Sequence, residues 1–185
     1  MARVLIPLAQ GCEELEAVTV ADLLRRAGIE VITAGLDGQP VRASRGMVLL
    51  PDMTLDEALQ QDYDMVVLPG GLPGADNLKA DPRIIELVQR MTAEDRYTAA
   101  ICAAPRVLAH AGLLDGRRAT SFPGALDAET VAGMEYLEQP VVVDGGIITS
   151  RGPGTAMDFA LQLIELLMDR ETRDKVEATL QRPGN

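Results

Sequence analysis

The chain has 185 residues, enough for one domain with a substantial core, and 47% of them are apolar, so disorder is not expected. A net charge of −11, spread along the chain, argues against a nucleic-acid-binding surface and reads mainly as solubility. Two cysteines make no disulfide framework, no apolar stretch approaches a membrane span, and the first apolar run is too short for a signal peptide; a reduced, cytoplasmic protein is expected.

With no Trp, two Phe and three Tyr, the core must come from Val, Leu, Ile, Ala and Met. ARVLIPLA, residues 2–9, is a continuous apolar run, as expected of a strand buried on both faces. EELEAVTVADLLRRAG follows with helical length, and Gly28 is placed to cap its C-terminus. IEVITAGL is a second strand, and VRASR with GMVLLPD reads as two short strands forming a hairpin. TLDEALQQ opens on Thr54 with Glu57 three residues on, a capping box. DYDMVVLPGG is a third buried strand ending in glycines, and DPRIIELVQRMTAED a helix with Pro82 in its first turn.

YTAAIC is a fourth core strand and APRVLAHAGLL a helix. RATSF reads as a strand and DAETVAGM as a short helix. QPVVVDGGIITSRG divides into two strands around Asp144-Gly145-Gly146. TAMDFALQLIELLMDR is a strongly apolar helix, and RDKVEATLQ another. Strands alternating with helices predict a parallel sheet covered by helices on both sides.

Cys102 closes the fourth core strand and stands just before a helix, where open parallel sheets build their sites. That is the layout of a nucleophile elbow without its GxSxG motif, and the helix dipole there favours thiolate. A small, inert core cysteine would also fit the position. His110, the single histidine, lies eight residues on, about 12 Å along a shared helix, and so is no direct base for Cys102.

On the first helix Glu16, Val20, Leu23, Leu24 and Ala27 form one stripe, so a carboxylate opens an apolar face. A desolvated Glu there would keep its proton to higher pH. Glu13 reaches the same stripe through Ala17 and Val20, so spacing does not choose between them. Glu13 and Glu14 also suit a solvated first turn that complements the helix dipole. Gly70 and Gly71 allow close backbone approach, and their amides would suit an oxyanion as readily as a plain turn. Arg151, in TSRGPGT, is a structural or anion-binding candidate. GxGxxG and GxxxxGK[ST] are absent, and no Cys/His cluster has zinc spacing.

GCEELEAV, VVLPGG, AAICAAP and TSRGPGT resemble, in order and spacing, the ThiJ/PfpI family, DJ-one branch, over nearly the whole chain. The resemblance implies one domain over 1–185 with a flavodoxin-like α/β three-layer sandwich, its sheet mostly parallel with helices on both faces, assembled as a homodimer. It places the reactive cysteine at Cys102 and its protonated glutamate partner at Glu16 rather than Glu13. Gly70, Gly71 and the amide of Ala103 would surround the reacting oxygen, and Cys102 would oxidise to a sulfinate. Arg26 and Arg45 match arginines near the dimer interface, with a possible anion-binding role.

Two departures bear on activity: Phe122 stands where many members carry a histidine, and Ala103 where PfpI-type peptidases carry one. Cys12 stands where alanine is expected, close enough for a Cys12–Cys102 disulfide to be conceivable. The implied activity is a cofactor-independent, metal-free glyoxalase or protein deglycase acting on methylglyoxal, a small α-oxoaldehyde, or on its adducts with proteins. A redox-sensing chaperone with an oxidisable cysteine is the alternative from another class, with a cysteine peptidase third. No membrane or nucleic-acid partner is implied.

Overall fold

Apolar runs without polar breaks become strands here because the sheet is covered on both sides. The computed structural model describes residues 1–126 and 131–182. In β1 (Arg3–Leu8) every residue after the first is buried. Side chains alternate across the pleat, so Val4 and Ile6 join one core cluster and Leu5 the other. β1 pairs in parallel with β2 (Glu30–Gly35) and β6 (Met65–Leu68), and β6 with β7 (Tyr97–Ile101). β7 continues to β11 (Ile147–Ser150), which carries β10 (Val141–Asp144) as an antiparallel edge. With β5 (Met53–Thr54) at the far edge, the order is β10-β11-β7-β6-β1-β2-β5.

One face is covered by α1 (Glu14–Arg26), α6 (Ala156–Leu167) and α7 (Arg170–Thr179), with Phe159 fully buried among them. The other is covered by α2 (Leu55–Ala58), α3 (Gly74–Ala80), α4 (Pro82–Ala93) and α5 (Pro105–His110). The expected α/β three-layer sandwich is therefore present. β3 (Val41–Arg42) and β4 (Val48–Leu49) form the expected hairpin outside the main sheet.

Several local readings need correction. The capping box of Thr54 and Glu57 is formed, but its helix stops after one turn at Ala58. α3 occupies a stretch for which the sequence predicts no element, with Pro73 at its N-cap position. The strand expected over RATSF shortens to β8 (Arg118–Ala119), which pairs with β9 (Glu135–Tyr136) apart from the main sheet. The helix expected over 127–134 falls half on residues 127–130, outside the described residues.

Candidate active site

β1 is the point where the chain order reverses, β2 lying to one side and β6, β7 and β11 to the other. In sheets of this kind the crevice beyond the carboxyl ends of such strands is the place for a site. Three segments meet there: the elbow after β7, the glycines after β6 and the first turns of α1.

Cys102 is the first residue beyond β7, with φ +63, a conformation costly for a residue with a Cβ. Its amide donates to the Ser150 carbonyl (2.9 Å), and its carbonyl accepts from the Phe122 amide (2.9 Å). The elbow is thus held from the end of β11 and from the loop after β8. The side chain remains half-buried, open to the crevice.

Glu16 is 0% exposed, so the apolar stripe of α1 carries its carboxyl into the protein. Oε2 accepts from the Gly70 amide at 2.8 Å, while Oε1 has no hydrogen-bond partner. Gly70 is what lets acid and thiol approach. A Cβ there would lie 2.6 Å from the Cys102 Cβ and 2.8 Å from Glu16 Oε2. Gly71 has φ +86, and a Cβ on it would meet the Glu13 nitrogen and the Gly11 oxygen at 2.5 Å. Side chains at either position would collide with the site.

Burial raises the Glu16 carboxyl to about 7, against the Gly70 amide and the thiol contact, which lower it. Burial also raises the Cys102 thiol, to about 12, followed by the charge of Glu16 and contact with it. The Gly71 and Ala103 amides pull the thiol back, but by less. A freestanding low-pKa thiolate, expected from the helix dipole, is not what the structure holds. α5 has only six residues and starts three residues beyond Cys102, so its dipole is weak at the sulfur, whereas Glu16 is close. Thiolate forms when the thiol proton passes to an ionised Glu16.

Glu13 and Glu14 are both buried, not solvated as a first-turn reading suggests. Ser44 Oγ donates to Glu13 Oε2 at 2.8 Å. Glu14 accepts from the Arg45 amide (3.0 Å) and the Met47 amide (3.4 Å), and Ser44 Oγ, with one proton for the two carboxylates, lies 3.2 Å from it. Burial alone would raise the Glu14 carboxyl, but these donors and its own amide hold it below the ordinary carboxylate range. The hairpin is thereby clasped to α1, and Arg45 lines the cleft.

That cleft encloses about 510 Å³, with Glu13, Arg45, Gly71, Cys102, Ala103 and Phe122 among its walls. Arg106 also lines it; its Nη1 is 2.8 Å from Asp76 Oδ1, and its buried Nε has no partner. Sequence reasoning missed Arg106, although its place four residues after the elbow was a usable signal. Arg26 is elsewhere, at the last turn of α1 and paired with Asp22 (2.8 Å). Arg151 and His110 do not line the cleft; His110 is exposed at the last turn of α5. Cys12 and Cys102 are both free, so no disulfide joins them. Among the described residues, no group of His, Cys, Asp and Glu is placed to hold a metal ion, and no helix is long and apolar enough to cross a membrane.

The profile of the DJ-1/PfpI family matches residues 2–166. The chain is 45% identical over 182 residues to the Parkinson disease protein 7 homolog of Danio rerio, covering 96% of each sequence. It is 36% identical over 166 residues to the Caenorhabditis elegans protein named glutathione-independent glyoxalase DJR-1.2, covering 90% of this chain and 88% of that one. The crystal structure of Drosophila melanogaster DJ-1beta superposes with a TM-score of 0.92 at 41% identity, over 97% of both chains.

Proposed function

The chain belongs to the DJ-1/PfpI family, and from that premise we propose that it is a cofactor-independent, cysteine-dependent glyoxalase or protein deglycase acting on methylglyoxal or its protein adducts. One observation carries this reading above all: a strained, half-exposed cysteine is coupled to a fully buried carboxyl raised to about 7. A carboxyl with that affinity exchanges protons readily near neutral pH.

The chemistry follows from the pair. As Cys102 sulfur attacks the aldehyde carbon, its proton passes to Glu16 and a carbon–sulfur bond forms. The aldehyde oxygen becomes an oxyanion beside the Gly71 and Ala103 amides and is protonated to a hemithioacetal. Glu16, ionised again, takes the hydrogen on that carbon as a proton, a proton returns to the neighbouring carbonyl carbon, and the hydroxyl proton of the hemithioacetal moves to the former ketone oxygen. The result is a thioester of the 2-hydroxy acid. Water then cleaves the carbon–sulfur bond, releasing lactate and the thiol. The first carbon is oxidised and the second reduced, so no external redox partner is needed. A deglycase would use the same nucleophile on the adduct, releasing the amine or thiol of the protein.

Lactate production by wild type, Cys102→Ser and Glu16→Gln tests the reading. Activity in wild type that both variants lose supports it, and equal rates in all three overturn it. A second reading is favoured by accessibility: Cys102 is half-buried while Cys12 is 0% exposed, so peroxide reaches Cys102 first. If wild type has no turnover yet peroxide changes its chaperone activity, the redox-sensing role replaces the enzyme. Two free cysteines also suit a reducing cytoplasm.

The same premise supports a homodimer. Leu15 and Val18 on the outer side of α1, with Met47, Val48 and Leu50 of the hairpin segment, are all exposed large apolar residues. Such a patch marks an association surface. Arg45 adjoins it on the hairpin and Arg26 lies at the far end of the same helix. Light scattering is expected to give twice the 19.8 kDa chain mass, and Val18→Glu to shift the protein toward monomer. A monomer at micromolar concentration rules out the dimer.

A further inference from the structure

Phe122 is 50% exposed and Leu72 54%, and both line the cleft that holds Cys102. A large apolar side chain left this open beside a nucleophile forfeits burial unless a ligand supplies it. A Cβ on Gly152 would lie 3.4 Å from Phe122 Cδ2 and 3.9 Å from the Cys102 sulfur, so the ring edge and the nucleophile flank one glycine.

The sheet order adds a direction. β7, which ends just before Cys102, lies between β11, which leads into Gly152 and Pro153, and β6 with β1, which leads to Glu13. The β11 side of the cleft is apolar, with Phe122, Pro123 and Pro153. Of its charged groups, Glu13 and Arg45 come from the β1 side and the clasped hairpin, and Arg106, paired with Asp76, from α5. A volume of about 510 Å³ lies in the range of about 300–1,000 Å³ usual for sites that enclose drug-sized ligands. Methylglyoxal, with a methyl group as its substituent, fills little of it.

We propose that the preferred substrate is an α-oxoaldehyde bearing an aryl or comparably large apolar group, seated between Phe122 and Leu72 while its aldehyde carbon meets Cys102. This rests on the oxoaldehyde reading given above. Bond changes are those already described, with phenylglyoxal and water giving mandelate. Phe122 and Leu72 act on selectivity, by burying the substituent in the bound and transition states alike.

The test compares initial rates on phenylglyoxal and methylglyoxal, read as mandelate and lactate, for wild type, Phe122→Ala, Leu72→Ala and Gly152→Ala. Wild type is expected to favour phenylglyoxal at least about tenfold in kcat/KM. Phe122→Ala and Leu72→Ala should each lower that ratio several-fold, chiefly through KM. Gly152→Ala adds a methyl in ordinary contact with ring and sulfur, at an extended backbone position that any residue adopts, and should lower it as well. A wild-type ratio of one or less overturns the proposal, as does a ratio unchanged in all three variants. If neither aldehyde is turned over, the enzymatic reading fails on its own, and protection of Cys102 from iodoacetamide by mandelate or lactate decides this one. Stronger protection by mandelate that Phe122→Ala abolishes supports it; equal protection by both acids overturns it.

Discussion

The two cysteines both follow the carboxyl ends of central strands, yet they differ in access and in the carboxyl that faces them. Cys12, in the loop after β1, is fully enclosed; its carbonyl accepts the Ser44 amide, and its thiol is pushed to about 12 by burial and then by the charge of Glu14. Cys102, on the elbow after β7, is raised as far, but it opens on the cleft and faces a buried carboxyl that can take its proton. A perturbed thiol is therefore no sign of function by itself. What separates the two is access to substrate together with a proton acceptor at hand.

The strongest way to break this contrast is substitution at each site. Cys102→Ser is expected to cut lactate formation at least about a thousandfold, because an unactivated hydroxyl is a far poorer nucleophile. Cys12→Ala should leave it within about twofold of wild type. Comparable losses at both positions would make Cys12 part of the chemistry.

Next in size is the acceptor. Glu16→Gln should lower turnover about a hundredfold. On the proposed mechanism Glu16 acts as a base only when ionised, so kcat/KM should fall as pH drops through about 7, and the variant should lose that step. Stability carries the opposite trend. The folded carboxyl titrates near 7 rather than at its ordinary 4.5, so the folded form is favoured fully below the ordinary value. That advantage is lost as pH rises through about 7. Denaturant midpoints at pH 5 and 8 should therefore differ more in wild type than in Glu16→Gln; equal differences would mean the carboxyl is not raised.

The loop that carries Cys12 is wedged against the turn after β6 at Gly71, where a Cβ would strike the Glu13 amide and the Gly11 carbonyl. Gly71→Ala combines that clash with a positive φ and should cost about 2 kcal/mol or more in chemical denaturation, with activity falling too. A cost below about 0.5 kcal/mol would show that the loops yield without consequence.

The smallest effect sharpens the comparison from the other side. Cys12→Ala removes one buried sulfur and should cost about 1 kcal/mol of stability. In the native wild type, iodoacetamide should label Cys102 and spare Cys12 until denaturant is added. Native labelling of Cys12 ahead of Cys102 would reverse the assignment of the open site, as read by peptide mass.

Much of this molecule was legible in its residues. The apolar runs at 2–9, 62–71 and 97–102 could only be strands covered on both faces, and the alternation with helices left little but a layered α/β sheet. Cys102 at a strand end before a helix, and a carboxylate on the apolar stripe of α1, were both visible as local pattern. Periodicity could not separate Glu16 from Glu13, since both lie on that stripe; the resemblance chose Glu16, and in the fold it is Glu16 that meets the Gly70 amide. Glu14 looked solvated because helix position says nothing of a hairpin some thirty residues away whose amides it holds. Arg106, the shape of the cleft and the open faces of Phe122 and Leu72 come from segments distant in sequence, brought together only by strand order. The thiol's proton affinity belonged to the same level. A dipole can be inferred from a helix start, but burial and a neighbouring carboxyl exist only once β6, β7 and α1 are packed together, and at short range in a dry site these outweigh it.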